Sequence, residues 1–317
     1  MNYEKIGPVE IVPGESQSRS PFSTSLLIRD KSGGESTLID CGGGPSVFAY
    51  LQQQSIRQIF LTHFHPDHTS GTPLFDQTQI LINPYDYTRL LQFAEMRKTG
   101  GSGSTDARKA AGTPQLIYPY EQEINMSGTT VIMLHAPGHS EGFCCPYIPE
   151  HGILMIGDID LTSFGPWYFG PDSDIDQFIA SARMTLEVDA KYFLTSHQKG
   201  MVLREEYPRK LEQYLEIIER REERIKQAIK KGCSPAELIL QDVIYFRKDH
   251  GQAAFIVRNE QMGIAKHLKR MIRKGEPLGD YFLEYAMAHK LNPEHVDQFT
   301  RPAFVGAAKA GSETKMN

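Results

Sequence analysis

From the start of the chain to about Leu203, short apolar runs recur between turn residues: SLLIRD, STLIDCGGG, IRQIFLTH, QILINP, TTVIMLHAPGH, GILMIGDID and AKYFLTSH. Runs of this length bounded by glycine, proline and polar residues predict strands, several of which end on a polar side chain. Helical periods fall between them, at SVFAYLQQQ after a glycine turn, at DYTRLLQFAEMRK, and at DIDQFIASARMTLEV, where Asp174 or Asp176 supplies a cap. The mixture is α/β. The segment Lys98 to Pro114, KTGGSGSTDARKAAGTP, has almost no large apolar group and reads as a mobile surface loop, either a lid or a plain disordered connection.

Beyond Leu203 the pattern changes to long charged helices. In EEYPRKLEQYLEIIERREERIKQAIKKG, Leu211, Leu215, Ile218, Ile225 and Ile229 mark an apolar stripe, and Gly232 is the stop. SPAELILQDVIY begins with Ser234 and Pro235 in cap and first-turn positions, and QMGIAKHLKRMIRKGEP predicts another helix that ends at Gly275. Residues 1–203 therefore read as one unit and 204–317 as a helical accessory domain.

Composition narrows the functional classes. A 317-residue chain that is 40% hydrophobic can bury a sizeable core. Its formal net charge of -5 gives no global basic field to concentrate nucleic acid or anionic membrane. The first twenty residues do not read as a secretory signal, and no apolar run is long enough for a bilayer span. Cys144 and Cys145 are adjacent while Cys41 and Cys233 stand alone, which is neither a disulfide framework nor a zinc ribbon. These features predict a cytoplasmic protein with free thiols.

The chemistry concentrates in THFHPDHTSG, where His63, His65, Asp67 and His68 follow a strand directly. His63 and His65 alternate along an extended segment, and the turn at Pro66 brings Asp67 and His68 back toward a second point nearby. Imidazole and carboxylate ligands suit zinc, iron or manganese, and an open coordination position activates water. His139, Asp158 and His197 stand at or after the ends of three later apolar runs, where groups from distant parts of an α/β sheet converge.

LIDCGGG, THFHPDHTSG, APGHSEG, IGDID and SHQKG resemble, in order, the five motifs of the metallo-β-lactamase superfamily. The resemblance implies an αββα sandwich, with 1–203 as its catalytic domain. It implies one metal held by His63, His65 and His139, a second held by Asp67, His68 and His197, and Asp158 bridging them. Asp40 matches the supporting acidic residue of the first motif, and Asp160 is a fallback for the bridge. The implied reaction is hydrolysis by a metal-bridging hydroxide, with two divalent ions as cofactors, zinc foremost, and Asp67 as catalytic proton acceptor. The retained His65 points away from the flavodiiron branch, and Asp158 with no signal peptide points away from exported β-lactamases.

The similarity extends to the hydroxyacylglutathione hydrolase, lactonase and endoribonuclease-like branches. The preferred substrate is a small thioester, lactone or related ester, and a nuclease or phosphodiesterase is the alternative. A metal-holding protein without turnover is a third class. Trp167 and Tyr168, in the aromatic loop LTSFGPWYFGPDSD, either wall an apolar substrate pocket, with Tyr168 able to donate to a carbonyl, or are core packing or a dimer contact. A positive groove from the C-terminal helices to the metals would favour the nuclease. Lys266, Lys269, Arg270, Arg273 and Lys274 read as a solvated helix face rather than a nucleic-acid surface, so no nucleic-acid or membrane partner is expected; a homodimer is open.

Overall fold

The computed structural model describes residues 3–98, 112–245 and 254–297. Two mixed sheets carry the fold. In the first, β1 (Glu4–Ile6), β2 (Val9–Val12), β3 (Ser25–Ile28), β4 (Ser36–Ile39), β5 (Ile56–Leu61), β6 (Gln79–Ile82) and β7 (Leu116–Ile117) lie side by side in chain order. β1 to β4 pair antiparallel and β4 to β7 parallel. The second sheet has the order β13 (Met201–Leu203), β12 (Tyr192–Thr195), β11 (Ile153–Gly157), β10 (Cys144–Ile148), β9 (Thr129–His135) and β8 (Glu123–Met126), with only β11 and β12 parallel. The helices are α1 (Pro45–Leu51), α2 (Pro66–Thr69), α3 (Tyr87–Lys98), α4 (Ile175–Met184), α5 (Tyr207–Lys230), α6 (Ala254–Arg273) and α7 (Gly279–Ala288).

Strand alternation distributes the apolar side chains between layers. Leu26, Ile28 and Ile39 of the first sheet meet Met133, Met155 and Leu194 of the second, forming the core between the sheets. Their neighbours Leu27 and Leu38 point the other way and pack with Val47, Phe48 and Leu51 of α1 and Leu90 of α3. On the far face of the second sheet, Leu154, Ile156 and Phe193 pack with Phe178 of α4 and with Leu211, Leu215 and Ile218 of α5. The result is αββα. Strands buried on both faces read as continuous apolar runs rather than alternating ones, which is why these runs stood out in the sequence.

The expected strands and helices form where the pattern put them. Asp174 caps α4 by accepting from the backbone N–H of Gln177 at 2.9 Å. The sequence pattern missed β10, because Pro146 argues against a central strand. That proline is tolerated because β11 pairs only with Tyr147 and Ile148, beyond it. β1, β7 and β13 are too short to show a period of their own. The Lys98 to Pro114 loop lies largely outside the described residues. All four cysteines are free thiols, three of them buried.

The solvated basic helix face is corrected by the structure. Lys266 and Arg270 are 2% and 4% exposed. The Lys266 ammonium donates to the carbonyls of Ser173 and Val296, and Arg270 binds Asp176, Glu219 and Glu222. Arg270 thus joins α6 to α4 and α5 while Lys266 ties α6 to the Ser173 and Val296 main chain, which removes these two cations as a phosphate surface. Among the described residues, no helix is long and apolar enough to cross a membrane.

Candidate metal centre

The cluster assembles at one edge of the sandwich, where both sheets end. β5 delivers His63 and His65, the single turn α2 delivers Asp67 and His68, and the β9–β10 loop delivers His139. Asp158 follows β11 and His197 follows β12. One ligand atom from each of His63, His65, His139 and Asp158 falls within 4.8 Å of the others, and so does one from each of Asp67, His68, Asp158 and His197. Asp158 belongs to both groups. Asp160, the fallback, belongs to neither.

Individual separations fit convergence on shared points. His139 Nε2 is 2.9 Å from His65 Nδ1 and 3.1 Å from Asp158 Oδ2, while His68 Nε2 and His197 Nε2 are 3.0 and 3.6 Å from Asp158 Oδ1. Four ligands about 2.1 Å from one ion lie roughly 3.4 Å apart. The Nε2 atoms of His63 and His68 and Oδ1 of Asp158 are buried without a hydrogen-bond partner. Orphaned polar atoms of this kind are costly, and a bound cation satisfies them together. The residues present fit a divalent metal pair.

The opposite ring nitrogens are fixed by oxygens. Asp40 Oδ2 lies 2.7 Å from His68 Nδ1, the Trp167 carbonyl 3.1 Å from His139 Nδ1, and the Ser18 and Phe22 carbonyls 2.9 Å from His197 Nδ1. A carbonyl can only accept, so Nδ1 of His139 and His197 carries the proton and Nε2 is left with a lone pair for metal. Asp40 also accepts from the backbone N–H and hydroxyl of Thr62, and it sits at a φ of 58° in the left-handed region. Ser16, Gln17 and Ser18 are also left-handed, at φ of 53–59°, and this strained turn carries the Ser18 carbonyl to His197. No residue letter identifies Ser18, Phe22 or Trp167 as a support, because each contributes a main-chain oxygen.

Close backbone approach is required at Gly42, where a Cβ would stand 1.5 Å from the Asp67 carbonyl oxygen. The LIDCGGG turn thus cradles α2, with the Cys41 N–H donating to the His68 carbonyl at 2.8 Å.

The site is strongly polarised. Burial, then the neighbouring His139, pushes the His65 imidazole down to about 3, and burial with His68 lowers His63. Burial alone would also lower His68, but Asp158 and Asp40 outweigh it and raise that imidazole well above its ordinary value. Asp158 is held well below the carboxylate range, because His68, His139 and His197 overcome the cost of its burial. Asp160 is pushed up to about 7, chiefly by burial, with His197 opposing and Asp158 adding to the rise.

The two aromatic residues separate. Trp167 stands against the rings of His65 and His139, with centroids at 5.4 and 5.2 Å. Tyr168 faces away and is fully buried, its hydroxyl bound by Arg221 and His267. Its expected contact with substrate is corrected: successive residues of an extended loop point to opposite sides, and the buried Arg221 claims this one. Phe143, which the sequence did not single out, packs edge-on to His63 and His139.

The profile of the metallo-beta-lactamase superfamily matches residues 21–197, more than half of the chain and every residue of both ligand groups. The chain belongs to the metallo-β-lactamase superfamily. As a member of this hydrolase superfamily it is similar to the lactamase-like protein nscB of Trichophyton equinum, 28% identical over 185 residues, or 58% of this chain and 47% of that protein. It is also similar to an atrochrysone carboxyl ACP thioesterase of Passalora fulva, 26% identical over 250 residues, covering 76% of this chain and 67% of that one. The chain spans about half the length of the lactamase-like relatives it matches. Among solved structures, a beta-lactamase domain protein from Burkholderia ambifaria superposes with a TM-score of 0.65 at 17% identity, covering 88% of this chain and 90% of that one. A metallo-beta-lactamase family protein from Thermus thermophilus gives 0.62 at 20%, covering 84% and 93%. At these identities the structures share the fold alone.

Proposed function

We propose that the chain is a two-metal hydrolase of thioesters, with His63, His65 and His139 on one ion, Asp67, His68 and His197 on the other, and Asp158 shared. The observation that carries this reading is the pair of four-atom ligand groups meeting at Asp158. Histidine and carboxylate donors serve zinc, iron and manganese, with zinc our first choice. When bound, the ions supply Lewis acidity and a water acidified toward neutral pH.

The chain's own residues do the rest. Asp67, whose side chain is 21% exposed and whose Oδ2 is 3.5 Å from His197 Nε2, accepts a proton from the attacking water and passes it to the thiolate as the C–S bond breaks. Trp167 excludes water from the side of His65 and His139 and gives an acyl group an apolar surface. Asp40, through His68, keeps its ligand group oriented. Support for a thioester over a lactone comes from the relatives in Passalora fulva and Claviceps purpurea, both named atrochrysone carboxyl ACP thioesterases. A phosphodiesterase is the second reading, favoured by a cationic groove beside the centre.

The test measures metal content and hydrolysis on the same preparations of wild type and Asp67→Ala. We expect about two metals per wild-type chain and thioester cleavage that falls ~10²–10⁴-fold in the variant. Cleavage of bis-p-nitrophenyl phosphate without any thioester cleavage would install the second reading, and a chain that never takes up metal would sink both.

A further inference from the structure

A groove of about 720 Å³ runs along α5 next to the metal centre. One wall is the segment from Leu161 to Phe164, which leaves the centre just after Asp158, together with Lys199, two residues beyond His197. The other wall is a ridge of α5 formed by Arg209, Gln213, Glu216, Arg220 and Arg224, whose three- and four-residue spacing brings them to one side of the helix. At 1.5 Å per residue the ridge extends ~22 Å. At the inner end stands Tyr214, whose hydroxyl donates to the Asp158 carbonyl at 3.4 Å and accepts from the Asp160 N–H at 3.3 Å. The groove and the metal centre therefore share a wall.

Its charge is opposite to that of the molecule. Lys199, Arg209, Lys210, Arg220, Arg221 and Arg224 line it, against Glu216 as the one carboxylate, in a chain of net charge -5. Lys210 pairs with Glu206 and Arg220 with Glu216 across one helical turn at the surface, contacts too weak to hold those cations from a ligand. Arg221, 1% exposed, gives its hydrogen bonds to the Phe164 and Pro166 carbonyls and the Tyr168 hydroxyl, so its charge reaches the groove base without a carboxylate bonded to it.

We propose that this groove binds the phosphate-bearing thiol half of a thioester substrate, an inference that rests on the thioester reading above. The shared chemistry is the phosphopantetheine arm, which is found both in free coenzyme A thioesters and on carrier proteins. Its phosphate sits at the outer part of the ridge by Arg220, and its amide-bearing stem runs past Ile217 and Phe164 toward Lys199. Its sulfur end would point past Lys199 toward the candidate metal centre; in the hydrolysis, water adds to the carbonyl carbon, the C–S bond breaks, one proton of the water goes to the departing thiolate and the other leaves the carboxylic acid. A single-stranded nucleic acid fits the groove less well. It needs a series of open aromatic faces for its bases, and of the groove's aromatic residues Phe164 is half-buried while Tyr214 and Tyr245 are only 2% and 7% exposed.

The experiment titrates phosphopantetheine and phosphate-free pantetheine into metal-loaded protein by calorimetry, at low and high salt, for wild type and Arg209→Gln/Arg220→Gln. We expect phosphopantetheine to bind about 10-fold or more tightly than pantetheine, and the ratio to shrink with salt and collapse toward one in the double variant. Circular dichroism of the variant checks its fold, and Lys199→Gln gives an independent weakening outside α5. Equal affinity of the two ligands, or tighter binding and cleavage of a single-stranded oligoribonucleotide, overturns the proposal. Matched acyl thioesters separate it from the reading it rests on. Cleavage with no preference for the phosphate would leave the thioesterase standing and remove the groove, whereas selective phosphopantetheine binding with no thioester cleavage would do the reverse. Relative kcat/KM on acyl coenzyme A and acyl carrier protein then tells the free source from the tethered one.

Discussion

Asp40 makes three contacts from one buried carboxylate, to the Thr62 N–H, the Thr62 hydroxyl and His68 Nδ1. It does so from a left-handed backbone that aspartate and asparagine tolerate better than most residues. Asp40→Ala removes the partner of a ligand histidine and leaves the Thr62 N–H unpaired, so we expect metal affinity to fall ~10–100-fold. Asp40→Asn keeps the backbone conformation and an acceptor for Thr62, and is expected to retain a larger share of that affinity. Competition with a chromogenic chelator measures both. At this scale the ligands were legible, because three imidazoles and a carboxylate crowded into six residues repel or desolvate one another unless a cation joins them. Their supports were mostly not, because the oxygens behind His139 and His197 are main-chain atoms that any residue supplies.

The long helices are tied to one another and to the Trp167 loop by buried charge. Glu222 of α5 lies between Arg270 and His267 of α6, and Arg221 next to it holds the loop that carries Trp167. Burial would raise the Glu222 carboxyl, but His267 and Arg270 outweigh it and hold it down at about 2. A carboxyl whose folded value lies below its ordinary one of 4.5 stabilises fully above that pH and loses the contribution as pH falls through about 2. Glu222→Gln should therefore be less stable than wild type at neutral pH, with the gap in urea midpoint closing as pH drops below about 4.5. A gap independent of pH would mean that packing, not charge, makes the difference. The positions of α4, α5 and α6 were legible from their apolar periods and caps. The fate of Lys266 and Arg270 was not, since a basic letter on a helix looks the same whether it faces water or a buried carboxylate.

The candidate ligands meet at an edge where both sheets stop, and bound cations would replace hydrogen bonds that the buried atoms of His63, His68 and Asp158 lack. Ligands that bind only the folded state stabilise it by mass action, ~2.7 kcal/mol at a hundred times Kd. Chelation with EDTA should accordingly lower the melting temperature by about 5 °C or more, and readdition of zinc should restore it. Scanning calorimetry with and without chelator measures this, and an unchanged transition would count against tight metal binding. We propose that residues 204–317 act as an accessory region to a catalytic unit of 1–203, walling the groove that α5 lines. The apolar stripe of α5 shares one core with Phe193 of β12 and Phe178 of α4.

Seven of the strands, the helical periods and the candidate ligand side chains were legible in the sequence by itself, whereas β1, β2, β7, β8, β10 and β13 were not. The legible features are local properties: periodicity within a few residues, and side-chain types with few uses besides metal. Two matters were decided only in three dimensions: that Trp167 faces the centre while Tyr168 turns to Arg221, and that cations of α5 line a groove while Lys266 and Arg270 of α6 are buried. Each depends on which way a side chain points once distant segments pack. Neighbours in the chain can share a residue type and still face opposite sides of the same wall.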